Sequence, residues 1–274
     1  MATEIQSGPL GGELRAASTA AGGLALTTTA KTLGFDEGAE FLIITPRNFA
    51  TAVVAQFTLN PFLIVIKRAG TFVLANITDY TQAAQDNSTA TVVTLSSFAA
   101  VASNHFLYVG SHIPFRGVDI AVNAANAAAS VLTVKYWNGT AWTNITATDA
   151  TISAGATMAV SGAVTWTVPS AWTNSDLVTI GDVASHLATY DNFPGIFWTR
   201  WEVSGALGAN VTLNSMHSMS RNTAYAELVS GQTLETRIKR GVGGIGCIEA
   251  KVDAGTANLI VNVATGTVGG VFAR

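Results

Sequence analysis

Val131-Leu132-Thr133-Val134-Lys135-Tyr136-Trp137, then Asn138-Gly139-Thr140-Ala141, then Trp142-Thr143-Asn144-Ile145-Thr146 is the stretch that decides the fold. Apolar and polar residues alternate on both sides of Asn138-Gly139, the period of a strand with one buried face. Asn-Gly between alternating segments is a strong hairpin signal, because the tight turn needs positive φ, which both residues tolerate. A two-residue loop puts Leu132, Val134 and Tyr136 on one face with Ala141, Thr143 and Ile145, and sets Lys135 opposite Trp142 as a cation–π pair. A four-residue loop pairs Trp137 with Trp142 instead. Both registers make a hairpin.

Working outward, the same texture continues. Val164, Trp166 and Val168 alternate up to Pro169, and Phe197, Trp201 and Val203 alternate against Trp198, Arg200 and Glu202. Upstream, Phe41 to Thr45, Phe62 to Lys67 and His105 to Gly110 are apolar runs closed by turn residues, the pattern of strands buried on both faces. Thr51 to Leu59, Thr71 to Ala75 and Thr91 to Leu95 read as further strands. Downstream, Val211 to Met216, Leu234 to Lys239, Ile248 to Val252, Asn258 to Val263 and Val268 to Phe272 repeat the theme. Ala121 to Ser130 has room for one helical turn at most, since Asn123 and Asn126 interrupt it. Thr173 to Pro194 reads as a long polar connection. The expected fold class is all-β, an antiparallel β-sandwich or jelly roll. The expected organisation is an extended N-terminal arm over 1–34, a β region over 35–104, a Trp-rich sandwich over 105–216 and a small β-rich section over 217–274, in one or two compact units.

Composition narrows the function classes. Hydrophobic residues make up 49% of the 274 and charged residues 11%, against about 25% charged in ordinary globular chains. Ala, Thr, Gly, Ser and Asn fill the difference and give a neutral polar surface. Such a surface, with net charge −3, offers little hold on a phosphate backbone, so nucleic acid is not an expected partner. The start, Met-Ala-Thr-Glu-Ile-Gln-Ser-Gly, lacks the basic and apolar regions of a signal peptide. The run Phe62 to Ile66 is too short to span a bilayer. The expectation is a soluble chain made in a cytoplasm, with the sequons at Asn76, Asn87, Asn138, Asn144 and Asn210 coincidental. Basic side chains exceed acidic ones only in 217–274, through Arg221, Arg237, Lys239, Arg240, Lys251 and Arg274. Arg237, Lys239 and Arg240 are the candidates for meeting an acidic partner; the alternative is a strand edge guarded by charge.

The search for chemistry returns little. His105, His112, His186 and His217 have no metal-binding spacing, and Cys247 alone excludes an intramolecular disulfide or a Cys-based zinc knuckle. The run Gly241 to Gly246 is not followed by a helix and reads as a turn rather than a phosphate loop. Asp176, Asp182 and Asp191 share one connection and could line a glycan-cleaving cleft, but loop aspartates more often serve turns. No metal, cofactor or enzymatic activity is expected. All six tryptophans lie between Trp137 and Trp201. They fill a core or an interface, or else Trp137, Trp142 and Trp198 present a surface on which sugar rings stack.

Four blocks together resemble a known module: Tyr108-Val109-Gly110-Ser111 with Pro114 to Val118, Leu132 to Trp142, Gly162 to Trp172, and Phe197 to Ser204. They are similar to a module of structural proteins of tailed bacteriophages, found in head-decoration, tail and fibre-associated proteins. The resemblance covers about residues 105–207, and the insert from Thr173 to Pro194 departs from it. It implies a β-sandwich without catalytic residues, resident in the virion. The leading expectation is a head-decoration (cement) protein, a homotrimer that grips the major capsid protein through the arm and the basic C-terminal section. The second is a tail or fibre protein that binds a host glycan through exposed tryptophans.

Overall fold

The computed structural model describes residues 13–16, 24–34, 39–51, 54–71, 73–85, 89–182, 195–221, 225–239 and 241–265. Among the described residues the protein is an all-β sandwich fold, 53% strand against 4% helix, built from antiparallel sheets with no closed barrel. The chain makes two compact units, one from Met1–Asn60 with Thr223–Arg274 and one from Pro61–Asn222. The second is therefore inserted within the first.

The chain enters the first unit through β1 (Glu13–Ala16), β2 (Leu24–Leu26), β3 (Lys31–Gly34), β4 (Ala39–Ala50) and β5 (Ala55–Pro61). It then builds the second unit with β6 (Ile64–Ala69), β7 (Ile77–Asp79), β8 (Val93–Thr94), β9 (His105–Ser111), β10 (Gly117–Ala124) and β11 (Leu132–Trp137). That unit continues with β12 (Trp142–Ile145), β13 (Ala147–Asp149), β14 (Gly162–Trp166), the single turn α1 (Leu177–Ile180), β15 (Phe197–Val203) and β16 (Thr212–Met219). The chain returns to the first unit in β17 (Ala226–Leu228), β18 (Leu234–Arg237), β19 (Ile245–Val252) and β20 (Thr256–Thr265).

In the first unit one sheet runs β1-β20-β4-β18, with β2 also on β20, and the other runs β17-β5-β19-β3. Leu42, Ile44, Leu259 and Val261 face Phe57, Ile248, Ala250 and Val252 across its core, all nearly or wholly buried. The long insert leaves from β5 and returns to β17, yet these are paired neighbours, with Ala226 opposite Phe57. An insert whose two ends emerge side by side asks little of its host sheet.

In the second unit a six-stranded sheet, β12-β11-β15-β9-β6-β7, packs on a five-stranded one, β13-β14-β10-β16-β8. The chain passes from one sheet to the other between Ile145 and Ala147. Val65, Leu107, Val109, Val134, Trp201 and Val203 meet Val118, Ile120, Val164, Trp166, Leu213 and Met216 in one core. The hairpin takes the four-residue register, with Trp137 opposite Trp142 and Val134 opposite Ile145. Asn138 sets that turn. Its N–H donates to the Ala141 carbonyl at 3.1 Å, and its Oδ1 accepts from the Thr140 and Ala141 amides at 2.9 and 2.8 Å. Gly139 takes the positive φ, +98°.

Three readings of the sequence change. The division at 104/105 does not separate compact units, because β6 pairs with β9 along Ile64 to Ala69 and belongs to the Trp-rich sandwich. The described parts of 1–34 are strands, not an arm: β1 and β2 pair with β20 and β3 with β19, and Leu26 is wholly buried. The expected strand at Thr71–Ala75 gives way to a 3-10 turn at Leu74–Asn76, where the Asn76 side chain donates back to the Thr71 carbonyl at 2.9 Å. The expected strand Val268–Phe272 lies outside the described residues.

Candidate functional site

The polar chemistry of the second unit concentrates on the face of its six-stranded sheet turned away from the core. Strand alternation decides which residues arrive there. In β15, Trp201 and Val203 point into the core, which sends Trp198, Arg200 and Glu202 outward. Lys135 of β11 stands opposite Arg200, and Tyr108 of β9 stands opposite it on the other side. Arg68 of β6 pairs with Phe106 of β9.

Arg200 is the hub. Its Nε and Nη2 donate to Glu202 Oε1 at 3.0 and 2.8 Å, and its Nη1 to Asp182 Oδ2 at 3.1 Å. Glu202 also accepts Lys135 Nζ at 2.8 Å. The Arg200 guanidinium lies 4.4 Å from the Phe106 ring centroid and 5.0 Å from that of Trp142. The Arg68 guanidinium also lies over the Phe106 ring, 4.6 Å from its centroid. Two guanidinium groups and two aromatic rings thus meet on this face, Arg68 and Arg200 over Phe106 and Arg200 over Trp142, a favourable setting for a weakly hydrated cation.

Asp182 ties the connection after α1 onto this face. Its carboxylate accepts the Tyr108 hydroxyl at 3.0 Å in addition to Arg200, and its carbonyl accepts Arg68 Nη1 at 2.7 Å. Burial, reinforced by the Asp182 charge, raises the Tyr108 hydroxyl well above its ordinary pKa, so it remains a donor. At the start of the same connection Asp176 caps α1, accepting from the Thr179 amide at 2.7 Å. Burial pushes the Asp176 carboxyl up, but the Thr179 hydrogen bonds outweigh it and the net shift is downward. The stretch read from sequence as a long polar connection thus covers a sheet face, at least to Asp182.

The tryptophans divide. Trp166, Trp172 and Trp201 are buried, with indole N–H groups donating to the Phe115 carbonyl, the Trp198 carbonyl and Thr199 Oγ1. Trp198, expected among the surface candidates, is wholly buried: the connection lies over it, and its N–H donates to the Ser175 carbonyl at 3.1 Å. Its ring lies against Gly110, where a Cβ would clash with the indole and come within 2.6 Å of Ile196. Trp137 and Trp142 are half-buried at the sheet edge, edge-to-face, with centroids 5.6 Å apart and planes at 65°. The Lys135–Trp142 pairing of a two-residue loop does not form: the four-residue loop moves the partner of Lys135 two residues on, to Asn144, while Lys135 meets Glu202 and Arg200 covers Trp142.

The other candidates stay apart. Arg237 on the edge strand β18 and Lys239 beyond it are exposed, and Arg240 lies outside the described residues, as do His186 and Asp191. Nδ1 of His105 accepts from the Ala99 amide at 3.0 Å. Burial, with help from Lys67, lowers the His105 pKa. Cys247 is buried in β19. Among the described residues no three His, Cys, Asp or Glu side chains gather as a metal site would require, and no helix is long and apolar enough to cross a membrane.

The hub was half legible. Arg200 and Glu202, two apart in an alternating strand, had to share a face; their partners Arg68, Phe106, Tyr108 and Asp182 arrive through long-range pairing that no local spacing signals. No family model, curated protein or solved structure matches the chain.

Proposed function

We propose that the chain is a virion structural protein, a capsid decoration (cement) protein that binds the outer face of the major capsid protein as an oligomer, with a homotrimer the first expectation. One observation carries the reading. The four blocks that resemble the tailed-phage module fall on β9 and β10, β11 and β12, β14 with Trp172, and β15, all strands or flanks of one sandwich. Their lying together in one compact unit supports the reading. The state of the charges supports it. Arg68, Arg200 and Lys135 are engaged with groups of their own chain, so this sheet face suits contacts made by shape and apolar burial more than by charge. Exposed Arg237 and Lys239 are the candidate capsid contacts.

The test is cosedimentation with expanded and unexpanded tailed-phage heads that lack decoration. The expected result is saturable binding to expanded heads, weakened by the double substitution Arg237→Gln and Lys239→Gln and by added salt. Deleting 1–34 would not serve, because it removes strands of the first unit. A second reading, a tail or fibre protein that binds a host glycan, draws on the half-exposed Trp137. Absence of head binding together with quenching of tryptophan fluorescence by host-surface glycan, lost in Trp137→Ala, would establish it instead.

A further inference from the structure

Asn138-Gly139 is the one Asn-Gly pair in the chain, and its place in the hairpin turn gives it chemistry beyond a change of direction. The Asn138 side-chain oxygen accepts three hydrogen bonds: from the Thr140 amide at 2.9 Å, the Thr140 hydroxyl at 3.0 Å and the Ala141 amide at 2.8 Å. Three donors on one carboxamide oxygen polarise its carbonyl and match the negative charge that develops there when a nucleophile adds to Cγ, the logic of an oxyanion hole. The side-chain nitrogen donates to Thr143 Oγ1 at 3.1 Å, so a hydroxyl stands beside the group that would leave. The adjacent nucleophile is the Gly139 nitrogen. It carries no Cβ to hinder ring closure, and Gly139, Thr140 and Ala141 are exposed, so water reaches the turn.

We propose that Asn138 is a site of spontaneous modification in the folded protein. The Gly139 nitrogen adds to Cγ of Asn138 and its proton passes to a solvent base. The Cγ–Nδ2 bond breaks with its electron pair on nitrogen, which takes up a proton and departs as ammonia, leaving a succinimide. Water then adds to either imide carbonyl. Opening at Cγ gives aspartate at 138; opening at the backbone carbonyl gives isoaspartate, with the chain running through the side chain. No oxidant or reductant is needed. The two products act differently on the fold. Aspartate retains an oxygen for all three donors and adds one negative charge at the hairpin tip. Isoaspartate lengthens the backbone of the turn by one carbon and works against the Trp137–Trp142 register.

The experiment holds the folded, full-length protein at mildly alkaline pH and maps its peptides by mass over time. Isoaspartate is counted by enzymatic methylation, and intrinsic fluorescence shows that the chain stays folded. The expected result is loss of the amide at Asn138 before any other asparagine, with isoaspartate among the products. Retention of the Asn138 amide while the protein remains folded, or earlier conversion of another asparagine, overturns the proposal.

Discussion

Replacing Arg200 with Leu tests whether the charged hub on the outer face of the six-stranded sheet holds the second unit together. The side chain is 14% exposed, and its two carboxylate partners are 15% (Asp182) and 6% (Glu202) exposed, so solvent screens these pairs only in part. Removing one member of a buried ion pair costs about 3–5 kcal/mol, mostly because the other is left uncompensated. Here neither carboxylate is abandoned: Glu202 keeps Lys135 at 2.8 Å and Asp182 keeps the Tyr108 hydroxyl at 3.0 Å. That places the ionic loss below this range, at about 2–3 kcal/mol. The stacks on Phe106 and Trp142 add about 0.5–1 kcal/mol each, part of which the Leu side chain restores by apolar contact. The net expectation is about 3 kcal/mol. Arg200→Lys keeps the charge but loses the fork and the plane, and should cost about half as much. Urea unfolding followed by tryptophan fluorescence is the assay. All six tryptophans lie in the inserted unit, so the signal reports that unit alone. The m-value should not change. A loss below about 0.5 kcal/mol for Arg200→Leu would reduce the hub to a screened surface pair.

Gly110→Ala should destabilise the inserted unit by about 1–3 kcal/mol through overpacking, because the new methyl meets Ile196 and the Trp198 ring; the same fluorescence transition reads it. Tyr108 titrates well above its ordinary value when folded, so the folded state holds a proton that the unfolded state releases near pH 10. Stability is then fully present below that pH and falls as pH rises above it, and Tyr108→Phe should flatten the alkaline limb. Asp176→Ala removes the cap of α1 and should cost about 1 kcal/mol at neutral pH. The pKa of Asp176 is lowered on folding, so its contribution is present above about pH 4 and disappears as pH falls further. Residues 61–222 expressed alone should unfold with the fluorescence midpoint of the full chain, since the ends of the insert meet at the β5–β17 pair.

What the sequence discloses and what it withholds follow one physical division. Strand character is local. Alternation in Leu132 to Trp137 and Phe197 to Val203, and the double burial of Ile64-Val65-Ile66, can be read from the chain because side-chain direction has period two. Turn chemistry is local as well, but its outcome hung on a balance between two loop lengths. The balance tips on the Asn138 side chain, whose oxygen reaches the amides of both Thr140 and Ala141 and so favours four residues over two. From that one step follow Trp137 opposite Trp142, Lys135 on Glu202, and a Trp142 face left for Arg200. Pairing between distant strands has no such local trace. Nothing near Arg68 announces Phe106, nothing near Ala55 announces the return at Ala226, and the N-terminal stretch reads as an arm because its strands β2 and β3 are short and their partners lie more than 200 residues away. Trp198 was misplaced for a related reason. Alternation correctly sends it away from the core, but whether an outward face meets solvent depends on what is laid over it. Here that cover is the connection through Ser175 and Asp182, held by one indole N–H, two guanidinium groups and a tyrosine. The sandwich thus has a second buried layer, and Arg68, Arg200 and Tyr108 are among the side chains that fasten it.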